Sequence, residues 1–174
     1  MPRDHEFVEV VDASNRVLAL MPRDQVHRQQ LLHRAVLILV FSPGNKLVLQ
    51  RRSRSKKLYS GRWDLSATGH VKPGESREQA ALREVWEELG ASPRRLRLLH
   101  ELAGGPETGN EFVSLFTAGV VTDDLRPDPA EVEELCAVDS EELETLIRSV
   151  PEMLTPALHY YWKRDLLFPP LLTG

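Results

Sequence analysis

The order of apolar and polar residues along the chain predicts mixed α and β structure. Two short β-prone runs, residues 7–11 and 16–20, flank a turn-forming stretch at 12–15 and predict a hairpin. Residues 35–41 form a continuous apolar run between turn residues, which is typical of a strand buried on both faces. Residues 46–50 follow a second turn and predict the next strand of the same sheet.

A helix with one apolar face is predicted over residues 80–89. Its apolar side chains recur at every fourth position: Ala81, Val85 and Leu89. Glu75 or Ser76 can cap the start of this helix, and Gly90 stands where the glycine that ends a helix usually lies. Both ends of the helix therefore carry a sequence signal.

Shorter signals predict the remaining elements. Residues 21–32 are polar and fit either a helix or a linker. Two further strands and two helices complete the order: 96–102, 111–121, 140–148 and 158–167. Ser140 is the expected N-cap of the third helical segment. The last segment is apolar and aromatic, and it fits either a helix docked on the core or a dimer surface.

Length and composition fit one domain. The chain has 174 residues, of which 41% are hydrophobic, and a chain of this size buries about two-thirds of its unfolded surface. No internal repeat or domain boundary is evident, so we expect a single domain over residues 1–174. It divides into an N-terminal hairpin and linker, a core, and a C-terminal helix or tail: 1–34, 35–150 and 151–174.

Charge and cysteine content limit the expected partners and cellular location of the protein. Net charge is −4, from 22 basic and 26 acidic residues, so we expect no nucleic-acid partner. The lone Cys136 excludes an internal disulfide framework and agrees with a cytoplasmic location. No apolar run reaches about 18 residues, so we expect no membrane association. Composition leaves open whether the protein is a monomer or a homodimer.

Three carboxylates on the predicted helix point to a cation site. Glu84, Glu87 and Glu88 have the spacing that places side chains on one helix face. Like charges at this spacing cost roughly 0.2–0.5 kcal/mol per pair on an exposed helix. Arg83 can pair with one of them, but a single arginine does not neutralise three carboxylates. A hard divalent cation such as Mg²⁺ takes carboxylate oxygens and substrate phosphate as ligands.

The carboxylates are part of a longer pattern, G-x5-E-x7-R-E-U-x-E-E-x-G-U, in which U is apolar. Nine positions follow it: Gly69, Glu75, Arg83, Glu84, Val85, Glu87, Glu88, Gly90 and Ala91. This pattern resembles the signature box of the Nudix hydrolase family, and the match is complete. The resemblance implies an α/β fold, a Nudix-type α/β/α sandwich with a mixed β-sheet and a loop–helix–loop that carries the box.

The same resemblance implies an activity and roles for the residues of the box. It implies cleavage of a nucleoside diphosphate linked to another group, with Mg²⁺ or Mn²⁺ as cofactor. Glu87 and Glu88 are implied to be the main metal ligands, and Glu84 a ligand or the base that activates water. Arg83 is implied to orient these glutamates. Three further roles are implied: a structural bond from Glu75 to Arg83, a backbone carbonyl ligand from Thr68 or Gly69, and helix termination at Gly90.

Outside the box, the chain is similar to the Nudix branch that includes isopentenyl diphosphate isomerase. Four stretches carry this likeness: 12–17, 33–36, 47–56 and 61–71. In that isomerase, three histidines and two glutamates bind a metal, and the matching residues here are His27, His33, His70 and Glu111. They form a candidate second metal site. By their context alone, His33 fits a structural histidine and His27 a surface one, while Glu111 fits a base or a ligand.

Two departures separate the chain from the isomerase pattern. Thr68 stands where the isomerase needs a cysteine, and threonine cannot replace that acid–base group at neutral pH. Gly109 stands at the position of the second glutamate ligand. The only cysteine, Cys136, is distant in sequence. The chain also has the complete hydrolase box, from which the isomerase departs.

Basic and acidic residues outside the helix complete the candidate site. Residues 51–57 include five cations, which fit either a solvated loop or a phosphate-binding rim. The expected contacts to substrate phosphate are Arg51, Arg52, Lys56 and Lys72. One of three later carboxylates could serve as a second acid: Glu131, Glu133 or Glu134. Tyr59 and Trp63 could stack on a base, although Trp63 fits the core equally well.

The sequence therefore predicts a metal-dependent pyrophosphohydrolase. Its expected substrate is a small molecule, a nucleoside di- or triphosphate or a related diphosphate, which water attacks. Two alternatives are an isopentenyl diphosphate isomerase and a Nudix-fold nucleotide-binding module without catalysis. The missing cysteine argues against the first alternative, and the three mutually repelling carboxylates argue against the second.

Overall fold

The computed structural model describes residues 6–170. In this range the strands are β1 (Phe7–Val11), β2 (Val17–Pro22), β3 (His33–Phe41), β4 (Leu47–Arg52), β5 (Trp63–Asp64), β6 (Ala67–His70), β7 (Arg97–Leu102), β8 (Glu111–Val120) and β9 (Val132–Val138). The α-helices are α1 (Arg23–Arg28), α2 (Arg77–Leu89), α3 (Ser140–Ser149) and α4 (Pro156–Trp162). Two 3-10 turns lie at Pro106–Thr108 and Pro151–Met153.

Strand β3 organises a mixed sheet. It pairs in parallel with β8 from His33↔Glu111 to Phe41↔Val120, and antiparallel with β6 from Ala35↔His70 to Ile38↔Ala67. Strand β4 pairs antiparallel with β9 along its length and with β5 at its end. The registers with β8 and β6 bring the starts of β3 and β8 next to the end of β6.

Helices cover both faces of the sheet. Successive residues of β3 point to opposite sides, so its continuous apolar run gives each face an apolar surface for a helix to cover. One set of β3 side chains packs against α2: Val36, Ile38 and Val40. The other set packs with residues of α3 and α4: Ala35, Leu37, Leu39 and Phe41. All seven are buried, which confirms the predicted two-sided strand and the predicted α/β/α sandwich.

Helix α2 is fixed at both ends. Ser76 is its N-cap, and the Ser76 and Gln79 side chains bond each other's backbone N–H in a capping box. Gly90 ends the helix with a φ of 66°. A Cβ atom there would also lie 2.6 Å from the Arg126 carbonyl oxygen, so glycine is required for two reasons. The helix begins three residues before the predicted start.

The C-terminal segment that contains α4 packs on the core. Leu158, Tyr161 and Leu167 are buried in the cluster beneath β3, which favours a docked helix over a dimer surface. Helix α4 is shorter than predicted and begins at Pro156, with Thr155 as its N-cap. The N-cap of α3 is Asp139 and not Ser140, because the Asp139 side chain accepts the backbone N–H of Glu142.

The N-terminal segment forms a small cluster of its own. The predicted hairpin is present as β1 and β2, and residues 21–32 contain the short helix α1. Val8, Val10 and Val26 are buried together in this cluster. Between residues 6 and 170, no helix has the length and apolar character that crossing a membrane requires.

Candidate active site

A cavity of about 970 Å³ opens where α2, β6 and the loop after β4 meet. Most of the predicted site residues line it: Lys56, Gly69, His70, Lys72, Arg83, Glu84, Glu87, Glu88 and Glu111, together with Arg52 and His27. The cavity therefore joins the carboxylates of α2 to the histidine group. We call this space the active-site cavity.

Glu84 lies in the wall of this cavity, against Gly69. The Glu84 side chain is buried, and a Cβ atom at position 69 would fall 2.0 Å from the carboxylate carbon and from Oε1. Only glycine can stand there without displacing the carboxylate. This close approach explains why the box needs a glycine fifteen residues before Glu84.

Glu88 is buried and hydrogen-bonded. Its Oε2 accepts the side-chain amide of Gln50 at 2.6 Å and the backbone N–H of Thr68 at 3.1 Å. These donors fix the carboxylate between β4 and β6, with part of its surface in the active-site cavity. Gln50 is a polar residue in the buried part of β4, directly after an apolar run. Its position in the sequence could have marked it as a site residue.

Arg83 connects the box into one network. Its Nε and Nη2 donate to the Glu75 carboxylate at 2.8 and 3.0 Å, and Nη1 donates to Glu84 at 2.5 Å. Nη1 also reaches Glu87 at 3.3 Å, and Nη2 donates to the His70 carbonyl at 2.9 Å. Burial opposes the charge, but the Glu75 and Glu84 carboxylates raise the pKa of Arg83 above its ordinary value. Arg83 is therefore cationic and spans the helix and β6.

Burial changes the protonation of two helix carboxylates. Loss of hydration raises the pKa of Glu84 to about 7, against the opposing effect of Arg83. Loss of hydration and the nearby charge of Glu84 raise the pKa of Glu88 to about 8. Glu87 is more exposed and lies 3.9 Å from Lys72. Glu84 and Glu88 therefore ionise fully near neutral pH only when further positive charge is bound beside them. Carboxylate oxygens are ligands that fit Mg²⁺ or Mn²⁺.

Four residues from four elements form a second cluster. His27 (α1), His33 (β3), His70 (β6) and Glu111 (β8) each offer one ligand atom, and these atoms lie within 4.8 Å of one another. The three imidazole ring centres are 4.9 to 5.1 Å apart. Local context alone left His27 and His33 as ordinary histidines, whereas the resemblance marked them as candidate ligands, and the structure brings the four residues together.

The hydrogen bonds of this cluster fit a metal. His33 Nδ1 donates to the Leu31 carbonyl at 2.8 Å, which leaves Nε2 with a lone pair facing the cluster. The buried Nε2 atoms of His27 and His33 have no hydrogen-bond partner among residues 6–170. Burial and the neighbouring histidines lower the pKa of His27 to about 4, so its imidazole is neutral. Three imidazoles and one carboxylate are a donor set typical of Zn²⁺ and neighbouring transition metals.

Glu111 supplies the negative charge of the cluster. Its Oε1 lies 3.0 Å from His70 Nε2 and 3.5 Å from His33 Nε2. Although burial acts in the opposite direction, the neighbouring His33 and His70 imidazoles hold the pKa of Glu111 well below its usual range. The position of Glu111 beside His33 and His70 fits a metal ligand, one of the two roles that the sequence left open.

The predicted phosphate contacts divide between two faces of β4. Arg52 and Lys56 line the active-site cavity, and Lys72 lines it from the loop before α2. Arg51, which was predicted with them, points the other way and pairs with Glu133 and Glu134 at 3.5 and 3.1 Å. Adjacent strand residues face opposite sides, so Arg51 and Arg52 cannot both reach the cavity.

The structure also distinguishes the three later acidic residues. Glu131 lines the cavity and pairs with Lys56, whereas Glu133 and Glu134 lie on the side of Arg51 and Arg54. The aromatic candidates divide in the same way. Tyr59 lines the cavity, whereas Trp63 packs against the core.

The isomerase cysteine has no replacement in the cavity. Thr68 lines the cavity at the expected position. Cys136 lies on β9, opposite Leu49 of β4 in the sheet, and packs against the core. Burial raises the pKa of its thiol to about 11. Gly109, at the position of the second isomerase glutamate, is also absent from the cavity lining between residues 6 and 170.

Several cavity residues had no place in the sequence-based site. Glu6 and Arg23 lie at its rim and pair with each other at 3.1 Å. Asp64 and Thr155 line its inner end, where they share a 2.8 Å hydrogen bond. No sequence motif marks Thr155, because it reaches the cavity only through the docking of α4.

Comparisons with known proteins found related sequences and a similar fold. The NUDIX domain family matches residues 31–158. An uncharacterized Nudix hydrolase of Pseudomonas aeruginosa is 34% identical over 85% of this chain and 87% of that protein. An isopentenyl-diphosphate Delta-isomerase of Rhodobacter capsulatus is 33% identical over 89% and 92%. The crystal structure of DR0079 from Deinococcus radiodurans superposes with a TM-score of 0.81 at 24% identity, over 91% and 98%.

Proposed function

The chain belongs to the Nudix hydrolase family, and on that premise we propose a specific reaction for it. As a Nudix hydrolase it acts on phosphoric anhydrides. We propose that it uses Mg²⁺ or Mn²⁺ to cleave the diphosphate linkage of a nucleoside di- or triphosphate, or of a related nucleoside diphosphate derivative. Water is the attacking group, and the protein works in the cytoplasm.

One observation carries this proposal. The three helix carboxylates and three cations line the same active-site cavity: Glu84, Glu87, Glu88, Arg52, Lys56 and Lys72. Carboxylates suit a divalent cation, whereas arginine and lysine suit the phosphate oxygens. A binding module without catalysis has no need of two buried carboxylates that repel each other.

Each of these residues has a part in the reaction. Glu87 and Glu88 would hold the cation together with the backbone carbonyl of Gly69, which leaves Glu84 for proton transfer. When bound, Mg²⁺ supplies charge neutralisation of the diphosphate and lowers the pKa of a water molecule. Arg83 keeps Glu84 and Glu87 in place through its bonds to Glu75 and His70.

Proton transfer falls to a carboxylate of the cavity. Glu84 suits this role, because its carboxylate lies in the cavity wall on the same helix face as Glu87 and Glu88, and a cation held there would keep it ionised and able to accept a proton. Arg52, Lys56 and Lys72 would bind the phosphate oxygens. Lys56 would exchange Glu131 for phosphate as its ionic partner.

We also propose that His27, His33, His70 and Glu111 hold a second metal ion. The unpartnered, buried Nε2 atoms of His27 and His33 support this assignment. An ion there would face the same cavity as the carboxylates of α2. It would therefore add positive charge close to the bound diphosphate.

The isomerase remains a second candidate, because named isomerases are among the relatives and the histidine cluster matches the metal ligands that the resemblance to the isomerase pattern implies. Thr68 argues against it, since its hydroxyl cannot act as the acid–base group that the cysteine provides. The complete carboxylate helix also favours the hydrolase.

One experiment tests the proposed function against both alternatives. Purified protein with Mg²⁺ or Mn²⁺ is incubated with nucleoside di- and triphosphates, dinucleotide polyphosphates, nucleotide sugars and coenzyme A, and released phosphate products are measured. Isopentenyl diphosphate is included, with product analysis. We expect metal-dependent cleavage of at least one nucleotide and no isomerised product. Isomerisation without hydrolysis would favour the second candidate, and binding without turnover would favour the module.

A further inference from the structure

Arg52 enters the active-site cavity with its guanidinium already fixed. Its Nε donates to the Leu58 carbonyl at 3.1 Å, and its Nη1 donates to Asp64 Oδ2 at 3.3 Å. Neither contact uses Nη2, which has no hydrogen-bond partner in the part of the chain that the structure describes. The protein therefore holds Nε and Nη1, and the two N–H groups of Nη2 are left for an anion in the cavity.

Asp64 is held in turn from two sides. Its Oδ1 accepts the backbone N–H of Leu65 at 2.9 Å and the hydroxyl of Thr155 at 2.8 Å. Asp64 is 5% exposed and Thr155 only 1%, so both polar groups depend on these bonds for their burial. The carboxylate has only Oδ2 left to direct toward Arg52.

Thr155 ties this contact to the C-terminal helix. Its backbone N–H donates to the Trp63 carbonyl at 2.9 Å, and its hydroxyl oxygen accepts the backbone N–H of Leu158 at 3.3 Å as the N-cap of α4. The hydroxyl hydrogen is thus directed to Asp64. A continuous series of hydrogen bonds therefore runs from α4 through Thr155 and Asp64 to Arg52, which lines the cavity.

We propose that Asp64 and Thr155 are positioning residues that hold Arg52 as the anchor for the substrate diphosphate. Neither needs to touch the substrate. This inference rests on the proposed function, because it assumes that a diphosphate occupies the active-site cavity. It extends that function by assigning the C-terminal helix a part in substrate binding.

The test uses binding and turnover separately. Binding of methylenediphosphonate, a diphosphate analogue that cannot be hydrolysed, is measured by calorimetry in the presence of Mg²⁺. Steady-state kinetics with a cleaved nucleotide give KM and kcat. The analogue measures the anchor even if the nucleotide panel gives no turnover, so failure of the proposed function and failure of this inference are distinguishable.

Asp64→Asn is the central variant. The Asn oxygen can still accept Leu65 and Thr155, but its amide then turns a donor toward the Arg52 donor. We expect methylenediphosphonate binding to weaken about tenfold and KM to rise by a similar factor, with kcat nearly unchanged. Asp139→Asn is the matched control, because it weakens an Asp–Lys contact at a helix cap outside the cavity. Its binding should equal that of the wild type.

Two further measurements keep the proposal open to refutation if Asp64→Asn does not fold. Thr155→Val should weaken binding, and Thr155→Ser, which keeps the hydroxyl, should restore it. In a double-mutant cycle, Thr155→Val should add little to Arg52→Lys, because both act on one group. Wild-type affinity in Asp64→Asn, additive effects in the cycle, or no methylenediphosphonate binding by the wild type would overturn the proposal.

Discussion

Gly69 controls the position of Glu84, because any side chain there would occupy the space of the Glu84 carboxylate. A Cβ atom would lie 2.0 Å from Oε1, so Gly69→Ala must displace the carboxylate or shift β6. We expect the variant to lose about 10²-fold in kcat/KM, the size of effect that a displacement of about 1 Å can cause. Gly105→Ala is the control, since its Cβ would meet open space. Equal activity of both variants would contradict the assigned position of Glu84.

The raised pKa values of Glu84 and Glu88 predict an unusual dependence of stability on pH. Between pH 4.5 and their folded pKa values of about 7 and about 8, the folded protein holds protons that the unfolded chain has released. The metal-free protein should therefore lose stability as pH rises from 5 to 8, by up to about 1.4 kcal/mol per pH unit for each group.

Mg²⁺ should reverse this loss, because it binds the ionised carboxylates. Thermal unfolding at pH 6 and pH 8, with EDTA or with Mg²⁺, measures both effects. The stabilisation by Mg²⁺ should be larger at pH 8. Glu88→Gln cannot ionise at this position, so without metal it should show a smaller loss between the two pH values. A wild-type protein whose Mg²⁺ stabilisation is independent of pH would refute the protonation states assigned here.

At the scale of elements, the histidine cluster depends on α1, β3, β6 and β8 meeting at one point. The short helix α1 contributes His27, whose neutral imidazole is ready to bind a metal. We expect one Co²⁺ to bind per chain with a visible absorption band, and His27→Ala to weaken its affinity at least about tenfold. His100→Ala, at an exposed position outside the cluster, should leave the spectrum unchanged. Equal spectra for the His27→Ala and His100→Ala variants would contradict a metal site at the histidine cluster.

The elements that could be predicted from the sequence are those with strong periodicity or clear ends. Strand β3 has an uninterrupted apolar run, and α2 has an apolar stripe with a cap at each end. Strand β9 has mixed burial along its length, so no period marks it, and it forms because it pairs with β4. The two-residue strand β5 is likewise a product of pairing.

The site was predictable to the extent that chemistry follows from local spacing. The shared face of the α2 carboxylates could be predicted, because a helix fixes the relative directions of its side chains. Arg51 and Arg52 could not be separated without knowing which face of β4 meets the cavity. The residues of the histidine cluster are far apart in sequence, and the resemblance to the isomerase pattern was the only sequence signal for them. The link from Thr155 to Arg52 has no such pattern, so only the folded topology reveals it.

At the scale of the whole molecule, the small net charge hides two opposing local fields. Carboxylates of α2 meet Arg52, at the end of β4, and the lysines of the loops after β4 and β6 in one cavity. The fold places α2 on one face of β3 and α4 on the other. Both faces contribute to the cavity, the first through the carboxylates and the second through Thr155.

Metal-dependent hydrolysis by Glu88→Gln tests the central claim most directly. The amide can still accept the bonds from Gln50 and Thr68, so the metal-free variant should fold as the wild type does. We predict that it loses Mg²⁺-dependent nucleotide cleavage, whereas Glu78→Gln, on the same helix but outside the cavity, keeps it. Wild-type turnover by a folded Glu88→Gln protein would contradict the assignment of this helix as the catalytic metal site.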